Sequence, residues 1–180
     1  MYVAAARSLA LSTLWATRRL PVLSPPLTAE RFRPADLEGH RLAYLVLHGL
    51  PEQPYLYGDQ YVTAITAEQI RAARLDGQIV YLAACFGLGP VSSAFLAAGA
   101  AAVMADEDAN YAGLLRPQGA NALGGRVVRY LRQGETAGDS LYYASQDYIA
   151  AGSGYDPRRL ALVQSMRCVG DRDARLTATA

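Results

Sequence analysis

Two stretches of the sequence run through apolar residues and stop on a side chain that can do chemistry. Ile79-Val80-Tyr81-Leu82-Ala83-Ala84 leads into Cys85, with Gly87 and Gly89 close behind and a helical pattern from Val91. Leu42-Ala43-Tyr44-Leu45-Val46-Leu47 leads into His48-Gly49. A cysteine thiolate is a nucleophile, and an imidazole moves protons near neutral pH. Together they supply the two functions that covalent acyl transfer needs. Each apolar run reads as a buried strand. In an open parallel sheet the C-terminal strand ends line the ligand crevice, so Cys85 and His48 are expected to meet there.

Other readings of these residues stand beside that one. A buried cysteine taken alone is an inert small hydrophobe. Cys85, however, sits at a strand-to-loop junction, where the sheet edge exposes it and a following helix N-terminus favours the thiolate. Gly87-Leu88-Gly89-Pro90-Val91-Ser92 is close to G-x-G-x-x-G, and Asp106 ends the next apolar run where a dinucleotide fold places its ribose acid. Against that nucleotide reading, Ser92 replaces the third glycine, Pro90 lacks an amide, and the motif lies mid-chain. A C-x5-R phosphatase loop is excluded because Val91 stands at the arginine position, and no G-x-S-x-G elbow is present. His40 lies in the polar lead-in Glu38-Gly39-His40-Arg41, which makes His48 the better base. Cys168 has no histidine near it in sequence and reads as structural.

The elements that must position these groups alternate between strand and helix. A helix is expected over Ala4 to Arg19, ending before Pro21, with a short strand at Pro21 to Ser24 and a turn at Pro25-Pro26. Thr28 is expected to cap a short helix through Phe32. After His48 comes a loop of prolines and tyrosines, Pro51 to Gly58, which would rim a crevice. Thr66-Ala67-Glu68-Gln69 has capping-box form and opens a helix to about Leu75. Helices follow at Val91 to Ala98, Gly119 to Gln133, Asp139 to Ala151 and from Asp156-Pro157 onward. Strands follow at Ala100 to Ala105 and Met166 to Val169. The alternation predicts βαβ units and a parallel sheet.

Composition agrees with a globular fold. The 180 residues are 52% hydrophobic and 18% charged, enough for a single domain, 1–180, with loose ends at 1–3 and 177–180. The net charge of +1 gives no electrostatic reason to expect nucleic acid or a membrane as partner. Every basic residue is an arginine. Two cysteines make no disulfide framework, and a cytoplasmic location is the default. The acid-free segment Met1 to Thr28, with Arg7, Arg18 and Arg19, has some features of a targeting peptide. Without a small-residue cleavage site it reads better as a helix with Leu9, Leu11 and Leu14 to one side.

The order of these landmarks resembles the caspase-like (clan CD) cysteine peptidases, and more closely their bacterial CHAT domains. The resemblance is carried by the strand ending in His48-Gly49, Ile65-Thr66-Ala67-Glu68-Gln69-Ile70, Ala83-Ala84-Cys85-Phe86-Gly87 and Phe95-Leu96-Ala97-Ala98-Gly99-Ala100. Tyr130-Leu131-Arg132-Gln133-Gly134 and Val169-Gly170-Asp171 match later landmarks. The chain departs from the pattern in three places. Phe86-Gly87 replaces Glu-Thr, a tryptophan-containing segment after Ala105 is missing, and the first strand is short or absent before Ala4. The resemblance implies a three-layer αβα sandwich with a mainly parallel central sheet. It further implies a cysteine endopeptidase using a Cys85–His48 dyad, with the amides of Gly49 and Cys85 holding the oxyanion and no metal or cofactor. The substrate would be a protein or peptide lying near Val103 to Tyr111. Asp106 and Asp108 would receive a basic residue before the scissile bond, unless that acidic run is a solvated loop or a cap for a helix near Asn110. An activating partner or larger complex is implied as well. The alternatives are a catalytically silent CHAT-like interaction module and a nucleotide-binding α/β domain using the Gly87-Gly89 loop.

Overall fold

The structure is a computed structural model describing residues 1–152 and 154–176. Eight strands are present among them: β1 (Tyr2–Ala6), β2 (Val22–Ser24), β3 (Leu42–Val46), β4 (Tyr55–Tyr57), β5 (Thr63–Thr66), β6 (Ile79–Leu82), β7 (Ala102–Asp106) and β8 (Met166–Gly170). Six α-helices accompany them: α1 (Ala10–Thr17), α2 (Ala67–Arg71), α3 (Pro90–Ala97), α4 (Gly119–Arg132), α5 (Ala137–Ala150) and α6 (Pro157–Ser165). The main sheet has the order β2-β1-β3-β6-β7-β8, and all neighbours are parallel except β8, which runs antiparallel to β7.

The apolar runs are continuous because the sheet is covered on both faces. Successive side chains of a strand point to opposite faces. Ala43, Leu45, Val80, Leu82, Val103 and Ala105 enter one core with Ile70 and Phe95 of α2 and α3. Leu42, Tyr44, Ile79, Tyr81 and Met104 enter the other with Leu123, Val127, Tyr148 and Leu162 of α4, α5 and α6. The two central tyrosines stack at 5.1 Å and satisfy their hydroxyls on α4. Tyr81 donates to the carbonyl of Ala120 at 2.6 Å, and Tyr44 donates to Asn121 Oδ1 at 2.7 Å.

Several local expectations agree with the structure. Thr66 and Gln69 form the reciprocal capping box of α2, and Asp156 caps α6. Others need correction. Residues 1–3 are not loose, because Tyr2 and Val3 are buried in β1 and pair with Ala43 and Tyr44; residues 177–180 lie outside the described residues. Ala4 to Arg19 is not one helix: Ala4, Ala5 and Ala6 complete β1, and the helix begins only at Ala10. Alanine favours helix, but the two hydrogen-bonding edges offered by β2 and β3 decide its state here. Thr28 caps no helix; Arg31 and Phe32 turn back onto its carbonyl. The segment after His48 is not merely a loop, since β4 and β5 form an antiparallel hairpin. No α-helix starts near Asn110; the chain is irregular until Gly119. Among the described residues, no helix is long and apolar enough to cross a membrane.

Candidate active site

β3 and β6 are adjacent parallel strands in the register Leu45↔Leu82. Continuing that register by three residues sets His48 opposite Cys85. The backbones touch at this point. A Cβ built on Gly49 would lie 2.0 Å from the carbonyl oxygen of Cys85, so only glycine permits the approach. Neither the Gly49 nor the Cys85 amide donates a hydrogen bond to another described residue. Two N–H groups without a partner among the described residues therefore stand at the strand ends.

Immediately after Cys85 the chain turns through Phe86, which holds a left-handed φ of +51°. A bulky residue there is strained by about 1–3 kcal/mol, and such strain gathers at functional sites. The turn is held by the Phe86 N–H donating to the carbonyl of Asp108 at 2.9 Å and the Leu88 N–H donating to that of Asp106 at 2.9 Å. The Gly89 N–H is taken by Ser92 Oγ at 2.9 Å. With the Phe86, Leu88 and Gly89 amides occupied and Pro90 opening α3, the Gly87-Gly89 loop offers few of the donors that a phosphate cradle needs.

The half-buried Cys85 thiol is held by the loop after β7. The Asn110 N–H donates to Sγ at 3.3 Å, and Sγ is 3.3 Å from the Asn110 carbonyl oxygen. Among the described residues Sγ makes no hydrogen bond to His48. The imidazole instead faces the β4–β5 hairpin. His48 exchanges both backbone hydrogen bonds with Tyr57, at 2.7 and 2.9 Å. Its Nε2 lies 3.9 Å from Asp59 Oδ1, and its ring tilts against Tyr61 at 5.7 Å. Asp59 is itself fixed by Ser8, whose Oγ and N–H donate to its two oxygens at 2.6 and 2.8 Å. Gln60 and Tyr61 both take left-handed φ values, which turn this tip back over the histidine. The sequence carries no mark of Asp59 and Ser8 as site residues, because their meeting depends on the hairpin folding across the start of the chain.

The two acids near Cys85 separate. Asp106 is fully buried; burial pushes its carboxyl above the usual carboxylate range, and its Oδ2 has no hydrogen-bond partner among the described residues. Buried beneath the surface, Asp106 does not reach the solvent where a substrate would lie, which corrects its expected place in a substrate pocket. Glu107 is paired with Arg167 at 2.7 Å. Asp108 is exposed and borders a small cavity of about 170 Å³ with Asn110, Tyr111 and Arg158. Cys168 is half-buried on β8, and burial pushes its thiol up. His40 packs against Tyr2, where burial pushes its imidazole down.

No protein-family model matches the chain, and none of the curated proteins does. Solved structures do. The crystal structure of the Arg-specific cysteine proteinase gingipain R superposes with a TM-score of 0.66 at 13% identity, covering 87% of this chain and 38% of that one. The complex of Porphyromonas gingivalis RgpB pro- and mature domains gives a TM-score of 0.60 at 13% identity over the same shares. The chain thus spans about two-fifths of the length of these proteins. The likeness establishes the fold as caspase-like: an α/β sandwich with a mainly parallel central sheet between helical layers.

Proposed function

We propose that this chain is a cysteine endopeptidase domain in which Cys85 is the nucleophile and His48 the proton carrier. One observation carries the reading: the two residues end neighbouring parallel strands whose backbones meet at Gly49, in a fold shared with a cysteine proteinase. Cys85 leaves its Asn110 partner and its proton passes to His48 as Sγ attacks a peptide carbonyl. The amides of Gly49 and Cys85 receive the oxyanion. Imidazolium then protonates the leaving amine, the C–N bond breaks, and a thioester remains. Water, deprotonated by His48, attacks the thioester and restores the thiol. Asp59 acts as a positioning residue that orients the imidazole from its far side. The chemistry asks for no metal or cofactor. Exposed Asp108 is the acid available to a basic residue before the scissile bond, and the arginine specificity of gingipain R supports the same preference. The narrower resemblance to CHAT domains belongs to this proposal too.

A catalytically silent interaction module is the second reading. It is favoured by the two main-chain contacts that hold the thiol on Asn110 and by the lack of a His48–Cys85 hydrogen bond. Peptide acyloxymethyl ketones bearing arginine, lysine, aspartate or leucine decide between them, with adducts located by mass spectrometry. We expect an adduct on Cys85, fastest with arginine or lysine, and strongly slowed in His48→Ala. A folded protein that no probe labels refutes the peptidase reading and leaves the silent module.

A further inference from the structure

A second cleft lies apart from His48, Gly49, Cys85 and Asp108. It encloses about 1100 Å³ between α1 and α4 and is closed by the segment Leu115 to Pro117. Gly125 lets α4 close on α1, since a Cβ there would stand only 3.1 Å from the Ala16 carbonyl oxygen. Ala16, Ala122 and Val128 give the cleft an aliphatic lining. Trp15 and Leu115 stand at its edge, 56% and 69% exposed. Large apolar side chains beside an aliphatic cleft and rimmed by polar groups are a feature of docking surfaces.

The rim is cationic. Arg18, Arg116, Arg126, Arg129 and Arg132 all line the cleft, and no carboxylate among the described residues does. The whole chain carries only +1, so the charge is concentrated here. Arg129 is paired with Asp147. The other four make no ion pair among the described residues. Arg126 is half-buried, its guanidinium spent on the Ala122 carbonyl at 3.0 Å and the Tyr148 ring at 5.6 Å. Burial and the neighbouring Arg129 both disfavour its charge, which an arriving anion would relieve. Guanidinium forks match carboxylates in two-point geometry.

We propose that the α1–α4 cleft is a docking groove for an acidic peptide segment whose aliphatic side chains enter the cleft while its carboxylates meet the arginine rim. The complementarity is of both charge and surface. A bilayer does not enter a concavity of this kind, and a single aromatic, Trp15, is a poor stacking platform for successive bases of a nucleic acid strand.

Trp15 is the chain's one tryptophan and reports on the cleft directly. The probes are a peptide of repeating Glu-Leu-Glu-Glu-Leu, its Gln-for-Glu counterpart, an all-Glu peptide, a single-stranded oligonucleotide and phosphatidylglycerol vesicles. The Glu-Leu peptide is expected to shift Trp15 emission to the blue and shield it from a neutral quencher, less so as salt rises. The glutamine counterpart and the all-Glu peptide are expected to do so weakly. The double variant Arg116→Glu/Arg132→Glu changes two exposed positions and is expected to weaken binding about a hundredfold, roughly tenfold for each charged contact. Arg116→Gln, in the closing segment alone, is expected to weaken it about tenfold. Cys85→Ala is expected to bind as the parent does, which keeps this test separate from the peptidase reading. The proposal is overturned if Trp15 does not respond to the Glu-Leu peptide, or if the oligonucleotide or vesicles bind as well. Binding that is untouched in Arg116→Gln overturns it too.

Discussion

Gly49→Ala tests the meeting of the two strand ends more directly than any change to Cys85 or His48. The added Cβ would stand 2.0 Å from the Cys85 carbonyl oxygen, 3.2 Å from its carbon and 3.5 Å from the Ala84 Cβ. Real Cβ atoms essentially never come within 3.0 Å of such atoms, and the obstacle is backbone that cannot swing aside. The end of β3 must therefore part from the end of β6 by about 1 Å, a displacement that costs catalysis on the order of a hundredfold. Overpacking of this kind costs about 1–3 kcal/mol. For a chain of this size each kcal/mol is about 2–4 °C of Tm. Gly89→Ala serves as control, because nothing lies within 4 Å of its Cβ position and its backbone is extended. Thermal unfolding followed by circular dichroism gives the packing effect. The rate of Cys85 labelling by the arginine ketone gives the chemical effect. A lowered Tm with unchanged labelling would remove the Gly49 amide from the site. An unchanged Tm would refute the juxtaposition itself, and with it the reasoning that joins His48 to Cys85.

Asp59→Asn is expected to lower kcat for a fluorogenic arginyl peptide about tenfold or more while KM holds, because the imidazole loses its orienting carboxylate and not a substrate contact. Ser8→Ala, which removes one of the two hydrogen bonds holding Asp59, is expected to give a smaller loss of the same kind; a change in KM alone would argue against positioning. Asp106→Asn is expected to stabilise the protein near neutral pH by about 1 kcal/mol, read as Tm against pH. Burial raises the Asp106 carboxyl in the folded state, so its contribution is full below the ordinary carboxylate pKa and is lost as pH rises through the folded value. Parent and variant are therefore expected to converge in acid, and a variant less stable at neutral pH would contradict this. Asn121→Ala removes the side-chain acceptor of the Tyr44 hydroxyl, leaving it the backbone carbonyl at 3.1 Å, and removes the amide that donates to Ser12 Oγ at 2.7 Å; it is expected to cost about 1–3 kcal/mol in chemical denaturation.

The residues by themselves determined most of the frame. Apolar runs at 42–47 and 79–84 are long, unbroken and bounded by turn residues, so a two-faced strand is their only economical state. The Thr66 box and the Asp156-Pro157 start are short-range chemistry, complete within one helical turn. His48 and Cys85 stood out for the same reason: each ends such a run. Tertiary structure decided the rest. Ala4 to Ala6 became strand because two partner edges outweigh alanine's helix preference. The Tyr55–Tyr57 hairpin is too short to show a period, and it is defined by its pairing with β5 and with His48. Asp59 and Ser8 come together only across the folded chain. Asp106 and Asp108, alike in sequence, were parted by burial, one beneath the strand end and one in water. Sequence periodicity reports which face of an element is apolar. It carries no record of which distant polar groups the folded chain brings to that element's end, because those contacts rest on the relative placement of elements and not on the pattern within any one of them.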